Sequence, residues 1–240
     1  LAAISALIAV MAIVQLPELP AFTRPKGSSF QLILEAGQYI FKHDLLRPIT
    51  ACALFWNIAF SALLVVLIPF MSEQYNANPN TFGLALAAFG AGGILGSWSI
   101  SRFSKSVTPN FILLYGPGSS AAAISLLIFP QFFDVNIIYV GFFFLGLGPS
   151  MWLIVQNSIR QLATPNQMLG RVNSVIQTAI YGIRPVGALI GGFIAGTLSP
   201  SHGMTFVIVM MVCSFAAAVF SRLRNISSLS HVSVLSSRLA

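Results

Sequence analysis

The sequence predicts an all-α, polytopic membrane protein: a bundle of six full transmembrane helices preceded by the end of a truncated one. Three observations carry this. Of 240 residues 56% are hydrophobic and 7% charged, where an ordinary soluble domain has about a quarter of its residues charged. The apolar residues fall into long unbroken runs rather than periodic stripes. Apart from Arg184, the Lys and Arg residues fall in alternate loops between those runs. Lipid, not a protein core, is the solvent such a chain requires.

A hydrocarbon layer about 30 Å thick takes roughly 20 residues of apolar helix. Residues 1–16 carry no charge but are short for a full span, and they read as the end of a truncated transmembrane helix. A signal peptide is the competing reading; it lacks a basic leading region, and Gln15-Leu16-Pro17-Glu18 is a poor small-residue cleavage site. Residues 17–46 form a cytoplasmic linker. Its first part contains Pro17, Pro20, Pro25 and Gly27 and is irregular. Its second part sets Phe30, Ile33, Leu34, Gly37, Ile40, Phe41 and Leu45 at helical spacing against Gln31, Glu35, Gln38, Lys42 and Asp44, the pattern of an amphipathic helix lying in the membrane interface.

The six spans follow at 48–71, 82–100, 111–129, 135–155, 172–198 and 204–220, giving a transmembrane bundle over residues 47–222. Residues 223–240 are Ser-rich and are expected to form a disordered cytoplasmic tail. The Asn225-Ile226-Ser227 sequon in that tail has no meaning on the inner face.

A formal net charge of +7 would point to nucleic acid in a soluble protein, but the positions of the charges exclude that partner. Arg24, Lys26, Lys42 and Arg47 precede the first span. Arg102 and Lys105 follow the second, Arg160 and Arg171 the fourth, and Arg222, Arg224 and Arg238 the last. The loops between hold Glu73, Asn76, Asn78 and Asn80, then Asp134 and Asn136, then Ser199, Ser201 and His202, with no Lys or Arg. The positive-inside bias makes the basic loops cytoplasmic and places the C-terminus inside. It also has the truncated helix entering the cytoplasm, so further sequence is expected upstream of Leu1.

Helix breakers at membrane depth are tolerated where neighbours or a wet cavity satisfy the freed backbone groups. Gly146-Leu147-Gly148-Pro149 and Gly182-Ile183-Arg184-Pro185 are therefore expected bends, although Gly and Pro are common in membrane helices generally. Gly92 with Gly96, and Gly187 with Gly191, have the spacing of close helix-packing faces.

Arg184 is the one charge well inside a predicted span, about 19 Å along the helix from Arg171. Such a residue costs about 2.5 to 3.5 kcal/mol on insertion scales and must face a cavity or a partner. No acidic residue lies inside any span. The expected partners are thus Glu73 or Asp134 near the outer surface, carbonyls freed by the breakers, a segment outside this chain, or an anionic substrate. Asn57, Trp152 with Gln156, and Gln177 with Tyr181 add a polar stripe, the last two sharing a helix face with Arg184. Lining of a substrate cavity and plain interhelical hydrogen bonding both fit that stripe.

Catalysis finds little support. His43-Asp44 and Ser201-His202 lack a third partner, and Gly90-Ala91-Gly92-Gly93 lacks the Lys and Ser/Thr of a phosphate loop. Cys52 and Cys213 lie in separate apolar runs and read as small hydrophobes. No metal or cofactor is expected. A membrane-embedded enzyme and a non-transporting receptor or scaffold are the alternatives to transport.

Three segments carry a family resemblance: Thr164-Pro165-Asn166; Gly170-Arg171-Val172 with Ser174; and Gly182-Ile183-Arg184-Pro185-Val186-Gly187-Ala188. With Glu35-Ala36-Gly37-Gln38-Tyr39 and Leu45-Leu46-Arg47, they resemble the major facilitator superfamily, in particular bacterial exporters of the enterobactin and macrolide efflux type. Asn166 and Leu169 stand where the family often has an acidic and a basic residue, and Ser101 where an Asp often precedes the Arg. The resemblance implies that the six spans are helices seven to twelve of twelve, in a bacterial cytoplasmic membrane. It further implies a missing N-terminal six-helix half as partner and proton-linked export of a small amphipathic metabolite or drug. It would have helices seven, eight, ten and eleven line the central cavity, where Asn57, Trp152, Gln156, Gln177, Tyr181 and Arg184 fall. The Gly-rich faces of helices eight and eleven would meet the absent half.

Overall fold

The computed structural model describes residues 28–103 and 107–228. The truncated helix expected at 1–16, the linker up to residue 27, Lys105 and the Ser-rich tail from 229 lie outside the described residues. Among the described residues the chain is helical and contains no strand. An amphipathic helix α1 (Ser29–Lys42) leads into α2 (Leu46–Tyr75), α3 (Pro79–Phe103) and α4 (Pro109–Ser125), the last prolonged by a 3-10 turn at Leu126–Ile128. Then come α5 (Asn136–Leu162), α6 (Asn166–Thr197) and α7 (Pro200–Val219), closed by a 3-10 turn at Arg222–Asn225. The six helices from α2 to α7 are each long and apolar enough to cross a bilayer, and the protein is a multi-pass membrane protein.

Local chemistry sets the boundaries. The Ser28 N–H donates to Gln31 Oε1 at 3.2 Å, closing the first turn of α1. The apolar residues of that helix divide as an interfacial helix requires: Ala36 and Ile40 are buried in the protein, while Phe30, Ile33, Leu34 and Phe41 are exposed. His43 ends α1 and starts α2, because its Nδ1 accepts from the Leu45 and Leu46 N–H groups at 3.1 and 3.4 Å. Asn76 ends α2 in the left-handed region at φ 47°, and the following Ala77 N–H reaches back to the Met71 carbonyl at 3.1 Å. Pro109 and Pro200 open α4 and α7, where the missing N–H costs nothing.

Two boundaries differ from the sequence reading. Arg160 and Arg171, expected in the loop after the fourth span, lie inside α5 and α6, and only Ala163–Pro165 connect the two helices. The apolar run breaks at Gln156, but the helix does not. Gln156 and Arg160 are four residues apart on one face, and both are buried. The expected bends also do not interrupt the helices: α5 runs through Pro149 and α6 through Pro185 as continuous elements.

Packing runs α3 on α5, α5 on α4, α4 on α7, α7 on α2 and α2 on α6, while α2 and α3 scarcely touch. One apolar cluster lies towards the basic end, around Leu46, Ile49, Leu113, Ile159 and Ile176. The other lies towards the opposite end, around Leu63, Leu67, Phe70, Phe142 and Met204. Glycine sets the closest approaches. A Cβ at Gly92 or Gly96 would collide with the backbone of Phe143 or Leu147 on α5, and one at Gly146 with the Phe89 carbonyl of α3. Gly148 sits against Ser119 and Gly116 of α4; Gly187 lies on the Ile58 carbonyl of α2, and a Cβ at Gly191 would lie 2.6 Å from that of Ala62. This corrects the assignment of these glycine faces to an absent half. At Gly92, Gly96, Gly187 and Gly191 they are filled within this chain, because small residues let two backbones approach.

The basic end is tied together by Tyr39 Oη donating to the Ala163 carbonyl at 2.6 Å and by Asn110 Nδ2 donating to the Arg224 carbonyl at 3.1 Å. Ion pairs add Arg171 with Glu35 at 3.0 Å and Arg222 with Asp44. Exposed pairs of this kind contribute about 0 to 1 kcal/mol each. The buried hydrogen bonds and packing matter more.

Candidate functional site

A cavity of about 850 Å³ opens between α2, α3, α5 and α6, backed by α4. All six residues of the predicted polar stripe line it: Asn57 from α2, Trp152 and Gln156 from α5, and Gln177, Tyr181 and Arg184 from α6. The helices that bound it, α3 and α6, are the least buried of the six spans. Large side chains such as Leu95, Leu189 and Phe193 are exposed on them.

Arg184 is held by an unexpected partner. Its Nε donates to Asn57 Oδ1 at 2.8 Å, across from α6 to α2. Neither an outer-loop acid nor a freed carbonyl is needed to hold it. Asn57 is itself fixed, because its Nδ2 donates to the Ala53 carbonyl at 2.8 Å. The Arg184 guanidinium also lies 4.9 Å from the centre of the Tyr181 ring, three residues back on the same face. Gln177, one turn further back, makes no side-chain hydrogen bond to the described protein. Trp152 is nine-tenths buried, packs against Gly116, and keeps an indole Nε1 with no partner among the described residues.

Trp56, Asn157 and Arg160 are among the lining residues that escaped the sequence reading. Trp56 donates from Nε1 to Ser120 Oγ at 3.1 Å and stacks on Phe60 with ring centres 4.9 Å apart, which starts an aromatic wall continued by Phe89. Asn157 Oδ1 accepts from Gln156 Nε2 at 2.7 Å and from Arg160 Nη2 at 2.5 Å. Arg160 is only 6% exposed. Its signal was available, in the form of Gln156 and Arg160 one helical turn apart.

The lining runs from the basic end to about the middle of the spans. By helix rise, Asn57 sits about 16 Å in from the basic end of α2, and Arg160 about 3 Å in from the same end of α5. The cavity therefore reaches from mid-membrane towards the basic rim. Its electrostatics are one-sided, since the lining carries two guanidinium groups and no carboxylate among the described residues. Nothing in it resembles a nucleophile with its base. Also among the described residues, no group of three or more His, Cys, Asp or Glu side chains is placed to hold a metal ion. The arrangement suits reversible binding of a molecule with a polar end and an apolar body.

The family described as transmembrane secretion effector matches residues 1–238. The enterobactin exporter EntS of Salmonella paratyphi A is 25% identical over 236 residues, covering 96% of this chain and 56% of that protein. EntS of Salmonella choleraesuis is 25% identical over 201 residues, covering 83% of this chain and 47% of that protein. EntS of Shigella flexneri is 22% identical over 200 residues, covering 83% and 46%. The chain spans about half the length of the curated relatives it matches. No solved structure matches. The chain belongs to the transmembrane secretion effector family, within the major facilitator superfamily.

Proposed function

We propose that this chain is the C-terminal half of a secondary transporter that exports a small amphipathic metabolite or drug by alternating access. The carrying observation is that residues from three helices, singled out as polar at membrane depth, line one cavity bounded by the two least buried spans. A second six-helix bundle against α3 and α6 would close that cavity at its open side, and rocking of the two bundles would expose it to each face in turn. The protein would sit in a bacterial cytoplasmic membrane with the C-terminus inside, so that the cavity reaches towards the cytoplasm, where an exporter loads. Proton coupling then needs a titratable acid. The described lining has none, so that group belongs on the other half.

The test is efflux from cells carrying the complete gene, compared with cells carrying Gln156→Ala or Arg184→Ala at equal membrane abundance. The expected result is at least a tenfold loss of export for each variant. Undiminished export by both would remove this cavity from the transport path.

A further inference from the structure

The chain treats its arginines in two ways. At the exposed basic rim, Arg171 pairs with Glu35 and Arg222 with Asp44, which takes two of the five carboxylates in the sequence. In the cavity, Arg160 and Arg184 have amides as their only hydrogen-bond acceptors among the described residues, with the Tyr181 ring beside Arg184. Arg160 shares the Asn157 Oδ1 with Gln156. Arg184 uses Nε alone on Asn57, so neither of its Nη groups has a hydrogen bond to the described protein. An amide orients a guanidinium without neutralising it. Two positive charges thus line one cavity, with no counter-charge among the described lining residues. A buried, uncompensated charge is costly, and a ligand that compensates it is correspondingly favoured.

We propose that the cavity takes an amphipathic organic anion, whose carboxylate or sulfonate is drawn in by Arg160 near the inner rim and held by Arg184 at mid-membrane. This rests on the transport reading and names the substrate class for it. The guanidinium fork matches the two oxygens of such a group. The apolar body has the faces of Trp56 and Trp152 to lie against, and a cavity of about 850 Å³ holds a molecule of several fused rings. Attraction to two cations also discriminates against cationic amphiphiles, which the same aromatic walls would otherwise accept.

The experiment uses the purified full-length protein and three pyrene probes with comparable apolar bodies: 1-pyrenebutyrate, its methyl ester and 1-pyrenemethylammonium. Binding is read by energy transfer from tryptophan, and export is read from cells loaded with each probe. The expected result is that 1-pyrenebutyrate binds at least tenfold more tightly than either other probe. That preference should fall with added salt, vanish in Arg184→Gln and Arg160→Gln, and persist in part in Arg184→Lys. The wild-type ranking and its salt dependence test the idea even if a glutamine variant fails to fold. Equal or better binding of the ester or the ammonium, with export intact, would overturn the anionic class and leave the transport reading standing; a carboxylate from outside this chain would produce that result. Failure of cells to export any of the three would overturn the transport reading and the inference with it.

Discussion

Arg184 on α6 donates through Nε to Asn57 Oδ1 on α2, 2.8 Å away, and that bond spans the cavity wall at mid-membrane. Asn57 is 6% exposed, and its other amide atom is occupied by the Ala53 carbonyl. Replacing it with leucine leaves a charged donor without an acceptor, a loss of about 1 to 3 kcal/mol. Asn57→Leu should therefore lower the thermal unfolding midpoint of the full-length protein in detergent. Arg184→Leu in the same background should restore part of it, because the orphaned charge is then gone. The coupling expected from the double-mutant cycle is about 0.5 kcal/mol or more. Additive single effects would show that the bond contributes nothing to the fold.

That pair also shows where sequence reasoning stops. Both members were legible, since a polar residue at depth needs a reason and spacing along one helix gives its face. Their pairing was not legible, because spacing within α6 says nothing about which face of α2 it meets. The candidate partners for Arg184 were acids, freed carbonyls, a segment outside this chain or an anionic substrate, although the acceptor within the chain was an amide already on the polar stripe. Arg160 was missed for a different reason. Its place next to a short loop fitted the alternation of basic ends, and a charge that topology explains gives no separate reason to place it in a cavity. The glycine faces were legible as faces, while their partners depended on the order in which helices pack. The six full spans were recovered among the described residues, because hydropathy and charge alternation constrain them independently.

The glycine contacts give a second prediction. A methyl group at Gly92 would meet the Phe143 carbonyl, and backbone cannot rotate out of the way as a side chain can. Gly92→Ala must then push α3 from α5, at a cost of about 1 to 3 kcal/mol. Gly83, on the same helix, has nothing within 4 Å of its would-be Cβ. Gly83→Ala should be neutral or mildly stabilising, since glycine is the poorer helix former. Unfolding midpoints of the two variants beside the parent protein measure the contrast. If both behave alike, the close approach of α3 and α5 is not present in the membrane.

The junction between α1 and α2 should respond to acid. The His43 ring is buried, its Nδ1 accepts the Leu45 and Leu46 N–H groups, and its buried Nε2 has no partner among the described residues. The ring must be neutral to accept those bonds. Burial pushes its pKa below the usual 6.5, and the neighbouring Asp44 opposes this more weakly. Around it stand the Tyr39 ring with centres 5.5 Å apart, Asp44 itself, and Arg222 paired to that carboxylate. Because the folded pKa is the lower one, the unfolded chain takes up the proton first as pH falls. The His43 contribution is therefore present above about pH 6.5 and is lost progressively below it, towards the folded pKa. The unfolding midpoint of the full-length protein should drop between about pH 7 and pH 5.5. Asparagine can cap α2 with its side-chain oxygen but does not titrate, so His43→Asn should flatten that slope while keeping most of the stability at neutral pH. An identical slope in the variant would place the pH response elsewhere in the protein.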